Sequence, residues 1–320
     1  MVPIPLAEST CPCMGTVMSL KAYGENADAS LQEVKRAALR LEHLLSRFLP
    51  NSEISAINKH AGISLQRLNP ETYDVLTQAV QIARICQRGF DITVGPLVNL
   101  WNVNNSDGKP PEETLIKQTL PLVNYRDVIL DPDQTRAGLR QIGQSIDLGG
   151  IGKGYASAKF VEICKNQGIT SAFVNIGGNV ATLGRKPNGE SWRIGIQHPR
   201  KESSLVGLVC VSDKAVVTSG DYQRYFTDEA GNKYHHIIDP TTGYPAQSGL
   251  ISVTIVADNA TIADALSTAA FVAGMQKGMA LIKRFPGTEA IFIDEKLQVY
   301  VTIGLKDTFQ VAQDFNVRFV

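Results

Sequence analysis

Hydrophobic and polar positions follow two different periods along this chain, and the two periods occupy separate blocks. Leu31, Val34, Ala38, Leu41, Leu45 and Phe48 recur at three- and four-residue steps, which predicts an amphipathic helix. Asn69-Pro70 reads as an N-cap followed by proline in the first helical position. It opens a second helix through Val75, Leu76, Ala79, Ile82, Ala83 and Cys86. A third helix is predicted over 153–167, closed by Gly168, a fourth over 261–273 and a fifth over 276–285. Strand patterns fall at 16–23, 171–176, 192–197, 206–212, 251–257, 290–293 and 299–303, with Asp294-Glu295-Lys296 as a tight turn between the last two. Segment 102–113 is polar, carries two prolines and a glycine, and reads as a loop. Strands in runs and helices in runs predict an α+β fold with mixed or antiparallel sheets and packed helices, not an alternating parallel sheet.

Length and charge narrow this picture. At 320 residues the chain suffices for one large or two ordinary domains. No linker-like stretch divides it, so one compact unit over 14–320 is expected, preceded by a short N-terminal extension, 1–13. Lys plus Arg and Asp plus Glu each total 31, so the chain lacks the basic surplus that non-specific nucleic-acid or anionic-membrane binding needs. No run of eighteen apolar residues predicts a transmembrane segment. The N-terminus shows neither a signal-peptide pattern nor a lipobox, so the expected compartment is the cytoplasm, or the periplasm or a membrane anchor if the N-terminus was processed. The cysteines, Cys11, Cys13, Cys86, Cys164 and Cys210, are expected to be reduced; Cys11-Pro12-Cys13 lacks the spacing of a redox or zinc pair.

Several segments carry chemistry. Asp147-Leu-Gly-Gly-Ile-Gly-Lys-Gly154 follows a strand-like pattern at 141–146 and opens a helix. A glycine-rich backbone, a helix N-terminus and Lys153 together suit a phosphate or pyrophosphate. The segment is not a P-loop, because Asp147 and Gly154 stand where glycine and Ser or Thr are needed; nor is it a dinucleotide fingerprint, because Tyr155 occupies the third glycine position. Asp264 and Thr268, four apart on a helix of small and apolar residues, share a face and make a hard-oxygen pair suited to Mg²⁺. Asp264 as a cap or in a salt bridge is the plainer alternative. His235 and His236 would face opposite sides of a strand, one of them a core residue. Asp91 and Thr93 would share a face if 89–96 were a strand, and Ser219, in a tight turn, has no sequence neighbour to activate it.

Taken together these residues match a family pattern. Met14-Gly-Thr16, Ser52-Glu53-Ile54-Ser55, FDITVGPLVNLW from Phe90, DLGGIGKGYA from Asp147, NIGGN from Asn175, TSGDYQRYF from Thr218, HIIDPTTG from His236 and ADALSTA from Ala263 occur in one order over about residues 14–305. They resemble the ApbE-like FAD:protein FMN transferases. The resemblance implies a monomeric or loosely associated enzyme that binds FAD in a cleft and uses Mg²⁺. It would move the FMN half of FAD to a Ser or Thr hydroxyl of an acceptor flavoprotein and release AMP. It implies Asp264 and Thr268 as metal ligands with Ser267 beside them, and the carbonyl of Gly150 as a backbone ligand. It implies FAD contacts at Met14, Phe48, Gly89, Phe90, Asp91, Asp147, Lys153 and Ile238, and a catalytic role for His236. A FAD pyrophosphatase giving FMN and AMP, and a non-catalytic FAD carrier, remain as alternatives.

Overall fold

The structure, a computed structural model, describes residues 4–87, 89–105, 107–312 and 315–320. The chain opens with strands β1 (Leu6–Cys13) and β2 (Thr16–Tyr23), then helices α1 (Ala27–Leu45) and α2 (Glu53–Lys59). Short strand β3 (Gln66–Arg67) leads into α3 (Pro70–Cys86), α4 (Gly95–Trp101) and α5 (Glu113–Thr119), followed by β4 (Val128–Asp131) and β5 (Arg136–Leu139). After α6 (Gly152–Asn166) come β6 (Ser171–Ile176), β7 (Asn179–Leu183), β8 (Trp192–Gln197), β9 (Leu205–Val211) and β10 (Ala215–Gly220). A hairpin, β11 (Tyr225–Thr227) and β12 (Lys233–His235), precedes β13 (Leu250–Ala257) and α7 (Ala260–Ile282). The chain ends with β14 (Glu289–Asp294), β15 (Val299–Val301), β16 (Phe309–Val311) and β17 (Val317–Phe319).

Nine strands form one sheet in the order β1-β2-β6-β7-β10-β13-β14-β15-β17. Its pairs are antiparallel except β15 with β17. One face carries α1, α6 and α7. On the other lies the three-stranded sheet β16-β9-β8, whose Trp192, Ile194, Ile196 and Val209 pack with Val180, Val216 and Ile251 of the large sheet. Strands covered on both faces need no polar alternation, and all eight residues of β13 are buried. The result is the expected α+β architecture in three layers.

Local signals explain the helix ends. Asn69 caps α3 by accepting a hydrogen bond from the Glu71 amide, with Pro70 in the first turn, as read from sequence. Ser52 caps α2 in the same way through the Ser55 amide. The fourth and fifth predicted helices are the two halves of α7, separated by Gly274 at φ 76°, ψ 174°. On composition α7 is apolar enough to cross a membrane; here it packs against α6, β10 and β13 inside the protein.

Five expectations differ from the structure. Phe48 was counted on the buried face of α1, but the helix stops at Leu45 and Phe48 is 77% exposed. Leu6–Cys13, set apart as an extension, is edge strand β1 and pairs along its whole length with β2. The strand expected at 141–146 is an irregular segment with a single bridge from Ser145 to Val94, and 89–96 is a turn running into α4. The predicted loop at 102–113 includes a short 3₁₀ turn, and its position 106 lies outside the described residues.

Helix α6 meets α7 at Gly154. A Cβ there would strike the Ala260 carbonyl oxygen and lie 2.5 Å from the Asp264 Cβ. Substituting Gly154→Ala therefore overpacks a helix crossing, at a cost of about 1–3 kcal/mol. Urea unfolding of that variant is expected to show a lower midpoint with unchanged slope.

Candidate active site

A cavity of about 1060 Å³ runs between the ends of α1 and α4, the Gly-rich segment, the β6–β7 turn, β8, β10 and residues 236–240. That is spacious for a single small ligand and suits a dinucleotide. Phe48, Gly89, Phe90, Asp91, Asp147, Gly150, Lys153, His236, Ile238, Asp264 and Thr268 all line it, so residues up to 220 positions apart in the sequence motifs meet at one place. Met14 and Ser267 do not line it. Met14 sits in the β1–β2 turn at φ 49° and packs on the core, near Gly152. Ser267 is fully buried behind the wall.

The Gly-rich segment works differently from the sequence expectation. The backbone amides at the start of α6 were expected to be open to an anion. Instead Gly152 N–H bonds the Leu148 carbonyl at 2.7 Å, and Gly154 N–H bonds Asp264 Oδ2 at 2.8 Å. A carboxylate at a helix N-terminus is favourable, so α6 holds Asp264 in place. Gly150 lies against Thr268, whose Oγ1 would be 3.2 Å from an added Cβ. The glycines thus serve close helix packing around the Asp264–Thr268 pair.

Asp264 is 4% exposed, and no Lys, Arg or His forms an ion pair with it among the described residues. A buried carboxylate served by one amide is incompletely compensated. One turn on, Thr268 Oγ1 lies 3.3 Å from Ser219 Oγ, which in turn is 2.8 Å from Ser267 Oγ. Ser267 also donates to the Asp264 carbonyl at 2.8 Å. The donors gathered here are oxygens only; no cluster of three or more His, Cys, Asp or Glu side chains occurs among the described residues.

Asp147 is half-sheltered and paired. Arg47 Nη1 donates to its Oδ2 at 2.7 Å, and the Gly149 amide to its Oδ1 at 2.6 Å. Arg47 also bonds Asn99 Oδ1 and lies over the Phe48 ring, 4.9 Å from its centre. Lys153 Nζ reaches the Gly149 carbonyl at 3.2 Å. Asp91 is committed to the backbone: Oδ1 accepts from Thr93 N–H and Oγ1, and Oδ2 from Tyr125 N–H. Burial raises its pKa, and those hydrogen bonds pull the other way. Asp91 and Thr93 thus brace a turn instead of sharing a strand face.

The two histidines divide as expected. His235 is buried, with Nε2 2.9 Å from the Ala246 carbonyl and Nδ1 accepting from the Ile237 amide. His236 lines the cavity, and its Nδ1 is 3.2 Å from the Arg224 carbonyl. A carbonyl only accepts, so Nδ1 carries the proton in that bond and Nε2 is the basic nitrogen. Burial, then the charge of Arg224, push the His236 pKa down from 6.5 to about 4.

Sequence reasoning missed several cavity residues. Arg47, Asn99 and Ser219 become site residues through partners distant in sequence, and Asn179 lines the cavity with its carboxamide unpaired among the described residues. Trp101, whose Nε1 donates to the Gly243 carbonyl at 2.7 Å, ties α4 to the 239–245 turn. The motifs containing Asn99, Trp101, Asn179 and Ser219 were visible, but without a role for those positions.

The profile of the ApbE family matches residues 14–292. The chain belongs to the ApbE family. Among curated relatives, the FAD:protein FMN transferase of Treponema pallidum is 34% identical over 330 residues, covering 96% of this chain and 89% of the relative. That of Klebsiella pneumoniae is 31% identical, covering 90% and 89%. The crystal structure of the ApbE protein from Thermotoga maritima superposes with a TM-score of 0.87 at 32% identity, covering 94% and 98% of the two chains. Flavin transferase ApbE from Vibrio cholerae superposes at 0.86 with 26% identity, covering 96% and 100%. This ApbE chain is an enzyme of the flavin transferase class.

His236 is expected to stay neutral from pH 8 down to about 5, with an NMR midpoint near 4 in the ligand-free protein. Between about 4 and 6.5 the unfolded chain binds more protons at this residue than the folded one. Its contribution to stability therefore falls as pH falls through that window and levels out below it. A midpoint near 6.5 would show an open, solvated ring.

Proposed function

We propose that this chain transfers the FMN half of FAD to a Ser or Thr hydroxyl of an acceptor flavoprotein and releases AMP, with Mg²⁺ as the metal. The observation that carries this reading is the meeting of Asp264, Thr268, Lys153 and His236 on one dinucleotide-sized cavity in an ApbE chain. The names of the relatives support FAD as the flavin source and a protein as the acceptor.

Asp264 and Thr268, with the Gly150 carbonyl, would hold Mg²⁺. The buried, incompletely compensated carboxylate and an oxygen-only donor set fit that ion. Bound there, Mg²⁺ would supply charge neutralisation at the pyrophosphate. The Ser267 hydroxyl is committed to the Asp264 carbonyl and Ser219, so its role is to hold the ligand-bearing turn.

The chain's own residues account for the remaining steps. The acceptor hydroxyl oxygen bonds to the phosphorus of the FMN half, and the bond from that phosphorus to the AMP oxygen breaks. The hydroxyl proton passes to Nε2 of His236, which is free to accept because Nδ1 is held by Arg224. Lys153 offers a full positive charge to the phosphates. Arg47 holds Asp147 fixed beside the Gly-rich segment. Phosphoryl transfer needs little more than such positioning and charge compensation.

The test measures AMP and FMN release from FAD, with and without Mg²⁺ and an acceptor domain. AMP release that requires acceptor, with FMN retained on the acceptor through denaturation, is the expected result. Free FMN and AMP in equal amounts without acceptor would make the chain a FAD pyrophosphatase. FAD binding with no AMP under any condition would make it a carrier. His236→Ala is expected to lower kcat by about 10²-fold or more; turnover within a few-fold of wild type would remove His236 from the mechanism. Asp264→Ala is expected to abolish the stimulation by Mg²⁺, and an unchanged Mg²⁺ response would overturn the ligand assignment.

A further inference from the structure

The large sheet has a notch inside the cavity. Strand β10 pairs with β13 along all six residues, Ala215 to Gly220, but with β7 only at Ala215 and Val216. The β7 strand begins at Asn179, after the Gly177-Gly178 turn, and the register sets Asn179 opposite Val217, so among the described residues no strand lies beside Thr218 to Gly220 on that side. Val217 to Gly220 all line the cavity.

The hydrogen-bond phase of β10 says which groups are left over. The Asp221 amide bonds the Ile251 carbonyl, which turns odd-numbered residues toward β13. The Thr182 amide bonds the Lys214 carbonyl, which turns even-numbered residues toward β7. In an antiparallel ladder the directions alternate, so the N–H and C=O of Thr218 and Gly220 face the notch. At its head stands Asn179, 1% exposed, with neither Oδ1 nor Nδ2 bonded to any protein group among the described residues. A carboxamide buried in this way needs one donor and one acceptor from a ligand. A peptide unit supplies both.

The notch also ends in the right place. Ser219 lies on it and touches both Ser267 and Thr268. A chain extended along β10 advances about 3.3 Å per residue, and Ser219 lies two positions beyond Val217, the residue opposite Asn179, so about two residues span from Asn179 to that point. The cavity-lining residues assigned to FAD come from other walls: the end of α1, the 89–91 turn, the Gly-rich segment and the 236–240 segment. None of them belongs to β7 or β10.

We propose that the notch receives the acceptor protein as an added strand. An extended acceptor segment pairs through its backbone with Thr218 and Gly220, with one peptide unit bonded to the Asn179 carboxamide, and this delivers its hydroxyl beside Ser219. The inference rests on the transferase reading above. Strand addition draws affinity from main-chain hydrogen bonds and leaves alternate side chains pointing into the site.

The test uses the wild-type enzyme with FAD, Mg²⁺ and a synthetic peptide spanning the labelled Ser or Thr of an acceptor domain, N-methylated at one amide at a time. The expected result is a loss of kcat/KM of about tenfold at alternate amides and little change between them, the value of one hydrogen bond per site. Equal tolerance of methylation at every position would overturn strand addition. In parallel, Asn179→Leu is expected to raise the KM for the unmodified peptide about tenfold while FAD affinity, read by flavin fluorescence, stays within about twofold. An unchanged peptide KM would show that the carboxamide meets only water, and a loss of FAD affinity alone would assign it to the flavin; either overturns the proposal. A wild-type enzyme that labels no peptide and no acceptor domain would overturn the transferase reading, and this inference with it.

Discussion

The hydrogen bond from the Gly154 amide to the Asp264 carboxylate organises this protein. It joins the first turn of α6 to the first turns of α7, and it does so at a crossing that admits no side chain on α6. A buried carboxylate is expensive, and a helix N-terminus is one of the few neutral partners that offsets the cost. Only one of its oxygens is used in this way. The other is left facing a cavity, one helical turn from the Thr268 hydroxyl. Structure and site therefore share a residue: removing Asp264 takes away a cap from α6 as well as a carboxylate from the cavity wall.

Around that contact the layers divide the work. The helix layer supplies Asp264, Thr268, Lys153 and the Gly-rich turn. The end of α1 supplies Arg47 and Phe48. The sheet supplies Ser219 and the edge of β10, and the hairpin β11–β12 leads directly into His236. Asp264, Lys153, Ser219 and His236 each come from a different segment, so this polar wall of the cavity exists only when those segments are assembled. The Arg47–Asp147 pair and the Trp101–Gly243 hydrogen bond clamp irregular segments that the sheet does not reach.

Much of this was legible in the sequence where the signal is local. Asn69-Pro70 announces the start of α3 because capping chemistry is read over three residues. The motifs locate the cavity because their residue types, a small-residue helix with one Asp and one Thr or a glycine run before a helix, constrain local backbone. What stayed hidden depends on tertiary partners. Asp91 and Thr93 alternate like a strand, yet the Asp91 carboxylate binds three donors from Thr93 and Tyr125 and folds a turn. Four glycines looked like room for a ligand, and at Gly154 they are room for a neighbouring helix. Phe48 continues the spacing of α1, but the helix ends before it. Strands β7 and β10 escaped because Asn179, Thr182, Thr218 and Ser219 interrupt the apolar pattern where the sheet meets the cavity.

The order of strands in the large sheet carries a consequence for how the chain reaches this state. The hairpin β1–β2 forms early and locally, but its next neighbour is β6, and Met18 pairs with Ile176. Until the ribosome has delivered that distant strand, the inner edge of β2 has nothing to pair with, even once α1 covers one face of the hairpin. Closing so long a loop is slow relative to forming helices, because the entropy is lost before the contacts are gained. The vulnerable moment in the life of this protein is therefore its synthesis: a nascent chain that stalls between β2 and β6 presents an unpaired strand edge, the kind of surface chaperones bind and aggregates grow from.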